Sequence, residues 1–550
     1  MTTTGVPTAS AAPSAGSAQG TVRRLIVYTL LFALVMIAAI GLSGLLRRLL
    51  PAGDPLAVDD NAGLALSLAF ALIGGTLAAL LWWVVWRRLA EESERTSLAW
   101  GLYVAAMYTV SLIVATSALV GTATALVDER WLPDDFSIGV VWALVWVWHR
   151  AMWSHSVKHP TRLATVPAVL ASVYGLVIGV GGAVNALGAL FDAAMREASD
   201  RSFAGDPWWQ DTLEALVWVA AGLAIWWWHW YREGARRIDT RLAAVALVVV
   251  GVMGGGLLLL VGLGTTLWVV LRLAFDPSEP TGAILTPLAT AVASACMGAL
   301  VWSYHRRIAA GRSDATRRAG TLVMSGVGLV GVASGIGIIV NSTLAALASP
   351  IAASDDRSLL LGGISAVVVG GPVWWLSWQP TRRVPSTELG QPARRVYLVV
   401  VFGASAIVGL ITLLTVAPQL FEFALDATTI ASLVERIRVP LGLLVATGLV
   451  FGYHFAVWRR DRSVIVAEGL APAHRIGRVI LVAAGDASAF ERAIRAATGA
   501  SVTVWRRPGD EPAGVPDAAA LARALDGVTG KRVLVLAGPG DRVEVVPLAD

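Results

Sequence analysis

Apolar and polar positions in this chain are sorted into long blocks, not into the short alternation of strands. Twelve mostly apolar runs lie near residues 24–46, 63–86, 98–127, 136–153, 163–190, 212–231, 242–271, 284–304, 319–348, 358–378, 395–421 and 438–458, with polar connections between them. About 20 apolar residues are what a helix needs to cross a hydrocarbon core of roughly 30 Å. The pattern predicts twelve transmembrane helices, and the odd-numbered runs, several longer than a bilayer is thick, predict tilt or extension beyond it.

A second pattern closes every second run. It reads Trp146-Val-Trp148-His149, Trp226-Trp-Trp228-His229, Trp302-Ser-Tyr304-His305 and Phe451-Gly-Tyr453-His454, with worn copies at Trp86-Arg87 and Trp378-Gln379. From His149 onward, counting through Gln379, the steps are 80, 76, 74 and 75 residues. A fixed period of that size marks duplication of one structural unit. The expected fold is therefore an all-α polytopic membrane domain over residues 22–462, built of six two-helix repeats at about 22–93, 94–159, 160–238, 239–314, 315–390 and 391–462. Two spans per unit make all six repeats parallel in the membrane, unlike the inverted repeats of many transporters.

Charge sets the orientation. The connections that follow even runs, with the segment before the first, hold 24 basic residues, among them Arg23, Arg87, Arg150, Arg232, Arg306 and Arg382; the odd connections hold nine. The excess of basic residues on cytoplasmic loops places both termini and every even connection in the cytoplasm. The same bias accounts for the net charge of +5, so nucleic acid is not expected as a partner. Charged residues are only 15% of the chain against 56% hydrophobic, far too few for a protein wetted on all sides. Arginine outnumbers lysine, which occurs only at Lys158 and Lys531, and this composition suggests a bacterial protein of the cytoplasmic (inner) membrane.

The ends differ from the middle. Residues 1–21 are small and polar and are expected to be a disordered tail. Arg23 and Arg24 then open a run too long for a cleaved signal peptide. Residues 463–550 are mixed in character and predict a small α/β domain in the cytoplasm: strand Arg478–Ala484, helix Ala487–Thr498, strand Ser501–Arg506, helix Asp517–Leu525, and strands Lys531–Ala537 and Arg542–Pro547. Gly538-Pro-Gly540-Asp541 lacks the Lys-Ser/Thr of a phosphate-binding loop and precedes a strand, so a turn is expected there.

Candidate chemistry is thin. His149, His229, His305 and His454 offer imidazoles for haem or a metal, but the position decays to Arg87 and Gln379 and six units would spread the set apart. The favoured expectation is an aromatic belt at the inner interface, with the histidines bonding headgroups or loop carbonyls. Asn185, Asn341, Thr122 and Thr265 fall at related places in odd helices, read first as bonds between helices and second as a polar ring lining a pathway. Glycines such as Gly179, Gly181, Gly182, Gly255 and Gly328 place the odd helices toward the bundle centre, with the Trp-rich even helices toward lipid. No ionisable residue is central to a span, since Asp192, Glu214, Arg272 and Glu422 lie near ends. The lone Cys296 permits no internal disulfide. No catalytic residue, metal site or cofactor is expected.

The openings Arg23-Arg24-Leu-Ile-Val-Tyr28 and Arg394-Arg395-Val-Tyr397, each followed by a long span and a second span ending in Trp or another aromatic with His, resemble the DUF5671 domain family of bacterial membrane proteins. The likeness covers residues 22–460 and leaves the C-terminal domain outside. It implies a multi-pass fold and carries no activity or binding residues. Three functions stay open: a non-enzymatic scaffold, sensor or assembly partner; a transporter or channel for a small or lipidic solute; and a haem-binding redox protein. The expected partners are the lipid bilayer, a membrane or cytoplasmic protein held through residues 463–550, and a second copy of the chain.

Overall fold

The structure, a computed structural model, describes residues 15–50, 61–198, 207–276, 279–348, 353–382, 392–426 and 429–467, and in the C-terminal region 477–483, 487–498, 500–507, 524–525, 528, 532–537 and 543–548. Two compact units divide the chain. One comprises Met1–Arg382 and Ala404–Val450, the other Arg383–Gly403 and Phe451–Asp550.

Twelve long helices follow one another among the described residues: α1 (Ala15–Leu49), α2 (Asn61–Arg88), α3 (Leu98–Val127), α4 (Pro133–Trp153), α5 (Val166–Ala198), α6 (Trp208–Trp227), α7 (Arg241–Phe275), α8 (Leu288–Arg312), α9 (Asp314–Ala348), α10 (Ala353–Arg382), α11 (Pro392–Asp426) and α12 (Ile430–Ala467). Ten of them are long and apolar enough to cross a membrane, two fewer than the run lengths predict. The two that fall short, α4 and α6, are rich in tryptophan, whose large apolar ring carries a polar N–H. At the N-terminus α1 starts at Ala15, so residues 15–21 are helical where a disordered tail was expected; residues 1–14 lie outside the described ones. Good helix formers such as Ala15 and Ala18 carry the helix out ahead of Arg23.

Side-chain caps set several boundaries. Ser97 Oγ accepts the Trp100 N–H at 3.3 Å to open α3, and Thr240 Oγ1 accepts the Ala243 N–H at 3.3 Å to open α7. Pro133 begins α4, where its missing N–H costs nothing. Three wide π turns interrupt the regular pitch, at Phe70–Gly74, Trp228–Arg232 and Leu247–Gly254. The second continues α6 to Arg232, and Gly234, at φ 77°, then turns the chain in a conformation only glycine takes without strain.

Consecutive helices of the first unit form antiparallel hairpins: α1 with α2, α3 with α4, α5 with α6, α7 with α8, and α9 with α10. Each even helix also rests on the odd helix of the preceding hairpin: α4 on α1, α6 on α3, α8 on α5 and α10 on α7. Within this unit α12 continues the rule by placing Gly442 against Gly337 of α9. Glycine lets the backbones meet: a methyl on Gly222 would collide with the Gly179 backbone across the α5–α6 seam. The division into buried odd and lipid-facing even helices is incomplete, since α8 buries 39% of its apolar window and α7 33%.

In the second unit, β1 (Arg478–Ala483), β2 (Ser501–Arg506), β3 (Arg532–Ala537) and β4 (Val543–Leu548) make a mixed sheet in the order β2-β1-β3-β4. β1 runs parallel to both β2 and β3, and β4 antiparallel to β3. Alternate residues Val479, Leu481, Ala483, Val533, Val535 and Ala537 face one side, where α13 (Ser488–Thr498) covers them with Phe490 and Ile494. The strands and this helix stand within a residue or two of their predicted places. The helix expected at 517–525 lies outside the described residues apart from its last two positions. The turn expected at Gly538-Pro-Gly540-Asp541 lies outside the described residues.

Candidate functional site

The four histidines are buried inside the protein instead of reaching headgroups from the membrane surface. His149 and His454 are 0% exposed, His229 2% and His305 3%. Three share one local geometry: Nδ1 lies 2.7 Å from Val145 O in His149, 2.7 Å from Ile225 O in His229 and 2.8 Å from Val301 O in His305. A carbonyl only accepts, so the proton sits on Nδ1, and in a neutral ring Nε2 is left as an acceptor. The i−4 spacing ties each ring to its own helix and aims Nε2 sideways at a neighbour.

What Nε2 meets differs by hairpin. Tyr103 of α3 donates its hydroxyl to His149 at 3.0 Å, within one hairpin. Tyr108, also on α3, donates to His229 at 2.8 Å and so reaches the next hairpin. Five residues turn an α-helix by about 140° net, which is why one helix serves histidines on two sides. His305 has no tyrosine. Gly251 lies under its ring, and beside it is a cavity of about 20 Å³, the space of one water molecule, bordered by Ser172, Trp226, Trp230 and Arg312. In the second unit the rings of Tyr397 and His454 stand 6.0 Å apart.

The densest polar cluster surrounds His229. Arg150 of α4 forms an ion pair with Glu233, just past the π turn of α6, and reaches the Tyr108 hydroxyl at 3.5 Å. Glu233 also accepts from Trp228 Nε1 at 3.0 Å and lies 3.6 Å from His229 Nε2. Three helices are pinned there, with Glu233 Oε1 taking both the Arg150 and Trp228 bonds and Oε2 left buried without a hydrogen-bond partner among the described residues. Of the cluster's residues, His229 and Trp228 stood out in the sequence as part of the aromatic-His phrase, and Arg150 only as a basic residue beside it. Tyr103, Tyr108 and Glu233 sit in ordinary apolar or loop contexts; the signal for Tyr103 was its place near the start of an odd helix, like Tyr28 and Tyr397.

The cluster shapes what the histidines can bind. In His149 and His229 both ring nitrogens already have partners, so haem or metal ligation would first have to displace a tyrosine. Among the described residues no three His, Cys, Asp or Glu side chains gather in a way that would hold a metal ion. The polar positions of the odd helices do not converge either. Thr122 is buried and its hydroxyl donates to Ala118 O at 3.0 Å; Asn185 is exposed; Asn341 Oδ1 accepts from Arg438 of α12 at 3.4 Å. Thr265 borders an apolar groove of about 380 Å³ between α7, α9 and α10, with Trp268, Val330, Gly362 and Ser365. Asn341 thus bonds another helix as expected, whereas Asn185 shows no such bond.

Packing register also corrects the worn fifth copy of the aromatic-His phrase. A Cβ on Gly175, Gly255 or Gly328 would meet the backbone nitrogen of Trp226, Trp302 or Trp374 at 2.5, 2.7 and 2.6 Å. His229 and His305 stand three residues beyond their tryptophans, so Ser377, not Gln379, occupies that place in α10.

No curated protein and no solved structure matches the chain. The model of a domain of unknown function (DUF5671) matches residues 24–134, 165–278 and 318–449, segments that begin in α1, α5 and α9. With well over half its length covered, the chain belongs to the DUF5671 family of domains of unknown function.

Proposed function

We propose that this protein is a twelve-span scaffold, sensor or assembly partner of a bacterial inner membrane, built of six parallel two-helix repeats with both termini in the cytoplasm. The observation that carries this reading is the use made of the repeated polar set: His149 and His229 direct both ring nitrogens to carbonyls and tyrosines of the bundle. Groups spent in this way hold helices together and are not held ready for a substrate. The three successive matches of one family model support the duplication. The regular step of each even helix onto the preceding odd helix supports it as well. The α4 and α6 helices, at 21 and 20 residues, are long enough to span, and the arginine bias of the even connections supports the orientation.

The partner would be held by the C-terminal domain, whose strand β2 lies at the edge of the sheet with Trp505 59% exposed. Edge strands and exposed aromatics are the features peptides and proteins dock on. A photo-crosslinker at Ser501 in the full-length protein in cells should capture one defined protein, and Trp505→Ala should abolish the capture. No defined product, or a product indifferent to Trp505, would sink the scaffold reading.

A second reading, passage of a lipidic solute, draws on the groove beside Thr265. Substituting Gly362→Leu to fill that groove should stop uptake of a fluorescent lipid analogue by proteoliposomes if the groove is a path, and should change nothing if it is a resting place for an acyl chain.

A further inference from the structure

Every even helix ends with an arginine lying over a tryptophan of a preceding turn. The guanidinium carbon stands 3.7 Å from the ring centre for Arg87 over Trp83, 5.8 Å for Arg232 over Trp228, 4.9 Å for Arg306 over Trp302 and 5.4 Å for Arg382 over Trp375. Arg150 lies over Trp146 at 6.0 Å and over Trp228 at 5.2 Å. Within the second unit, Arg462 repeats the arrangement over Trp458 at 5.3 Å. Five of the six pairs are spaced i,i+4, which puts both side chains on one helix face.

The arginines differ in whether an acid answers them. Arg150 is paired with Glu233. Arg272, stacked over Trp268 at the far end of the α7–α8 hairpin, is paired with Asp276 and Glu279. Arg87, Arg232, Arg306 and Arg382 are exposed and belong to no ion pair among the described residues. Because the hairpins are antiparallel, the C-terminal ends of α2, α6, α8 and α10 share one face of the bundle. Three of their indoles are open too, Trp83 at 52% exposed, Trp228 at 37% and Trp375 at 42%, while Trp302 is half-buried.

A guanidinium lying flat on an indole keeps its N–H edge turned outward, and that edge matches two oxygens of a phosphate. Tryptophan holds the pair at the level of the headgroups. We propose that Trp83–Arg87, Trp228–Arg232, Trp302–Arg306 and Trp375–Arg382 are binding sites for the phosphate of anionic phospholipid headgroups. A zwitterionic headgroup brings its own cation and answers the arginine less well, so the sites select anionic lipid over neutral. The inference needs only the membrane setting and holds for scaffold and transporter alike.

Full-length protein in detergent, equilibrated with equal phosphatidylglycerol and phosphatidylcholine of matched chains, can be weighed intact by native mass spectrometry. Wild type should retain phosphatidylglycerol preferentially. The triple variant Arg87→Gln, Arg232→Gln, Arg306→Gln should lose about fivefold in retained anionic lipid per site. The matched triple Arg88→Gln, Arg237→Gln, Arg307→Gln removes the same charge from exposed arginines that stack on no ring among the described residues and should lose far less. Trp83→Leu with Trp302→Leu keeps every charge and should still lower the preference; the Arg→Lys triple, which preserves charge for folding, should lower it by about twofold through loss of the planar fork. Equal losses in the two glutamine triples, or an unchanged preference in the tryptophan variant, would overturn the proposal. Displacement of the lipid by millimolar inorganic phosphate would do so as well, by making these free-phosphate sites.

Discussion

The stretch Gly179-Val-Gly181-Gly182 holds two neighbouring glycines with opposite expected responses to the same mutation. On α5, a Cβ added at Gly182 would stand 2.8 Å from Val219 N, 2.9 Å from Trp218 Cβ and 3.0 Å from Ala215 O. Two of those three atoms are backbone, so the helices themselves must part. Gly181 points away from the seam, and a Cβ there meets nothing within 4 Å. Replacing glycine by alanine inside a helix stabilises it by about 0.8–1 kcal/mol when nothing obstructs the methyl group. Overpacking a tight contact costs about 1–3 kcal/mol. Gly181→Ala should therefore be neutral to stabilising by up to about 1 kcal/mol, and Gly182→Ala destabilising by up to about 2 kcal/mol. Reversible unfolding in mixed micelles, read by tryptophan fluorescence at rising sodium dodecyl sulfate, gives both values. Equal shifts at the two positions, or a loss at Gly181, would refute the view that backbone contact along this seam holds the hairpin.

Three further outcomes test other parts of the structure. Tyr108→Phe strips His229 of its donor in a site that is 2% exposed, and should cost about 0.6–2 kcal/mol in the same unfolding measurement; Tyr103→Phe should cost about as much through His149. Within the second unit, Arg394 meets Asp461 through two bonds of 2.8 and 3.2 Å with both side chains largely buried, so Arg394→Gln should cost about 3–5 kcal/mol, and pairing it with Asp461→Asn should recover part of the loss. A reporter fused after Arg462 should read as cytoplasmic and one at Asp355 as extracytoplasmic; the reverse, or agreement between the two, would break the topology.

Helices and their pairing were legible because both depend on local pattern. Run length marks the spans, and short connections force neighbours into hairpins, so α1 through α10 pair in sequence order as the blocks predict. The tryptophan-rich α4 and α6 show where that signal weakens: they are not among the ten helices long and apolar enough to cross a membrane. The burial of the histidines was not legible. In sequence they adjoin arginines and share the interfacial level of those arginines, but a helix has a side as well as a level. Their side is turned into the bundle, toward Tyr103 and Tyr108 on α3. Glu233 was equally hidden, since its position opposite Arg150 depends on the extra residue that the π turn at Trp228–Arg232 inserts.

The aromatic-His phrase therefore serves two purposes on two faces of one helix end. The imidazole faces inward, anchored to the carbonyl four residues back, and offers Nε2 to whatever the adjoining helix supplies: Tyr103, Tyr108, or at His305 a space the size of one water. A Trp–Arg pair is present in all six even helices, including α2 and α10, which lack the histidine; it faces outward in α2, α6 and α10, while in α4 Arg150 turns inward to Glu233. A pair found near the end of every even helix answers a demand common to those helix ends, and the membrane surface makes one. Helix–helix contacts vary from seam to seam, as the partners of Nε2 do, so the inward residue is free to change from histidine to Ser377 where a different neighbour stands opposite. On the duplication proposed above, the phrase recurs because one unit was copied, and the contrast between a uniform lipid surface and a set of unlike seams accounts for which half of it varies.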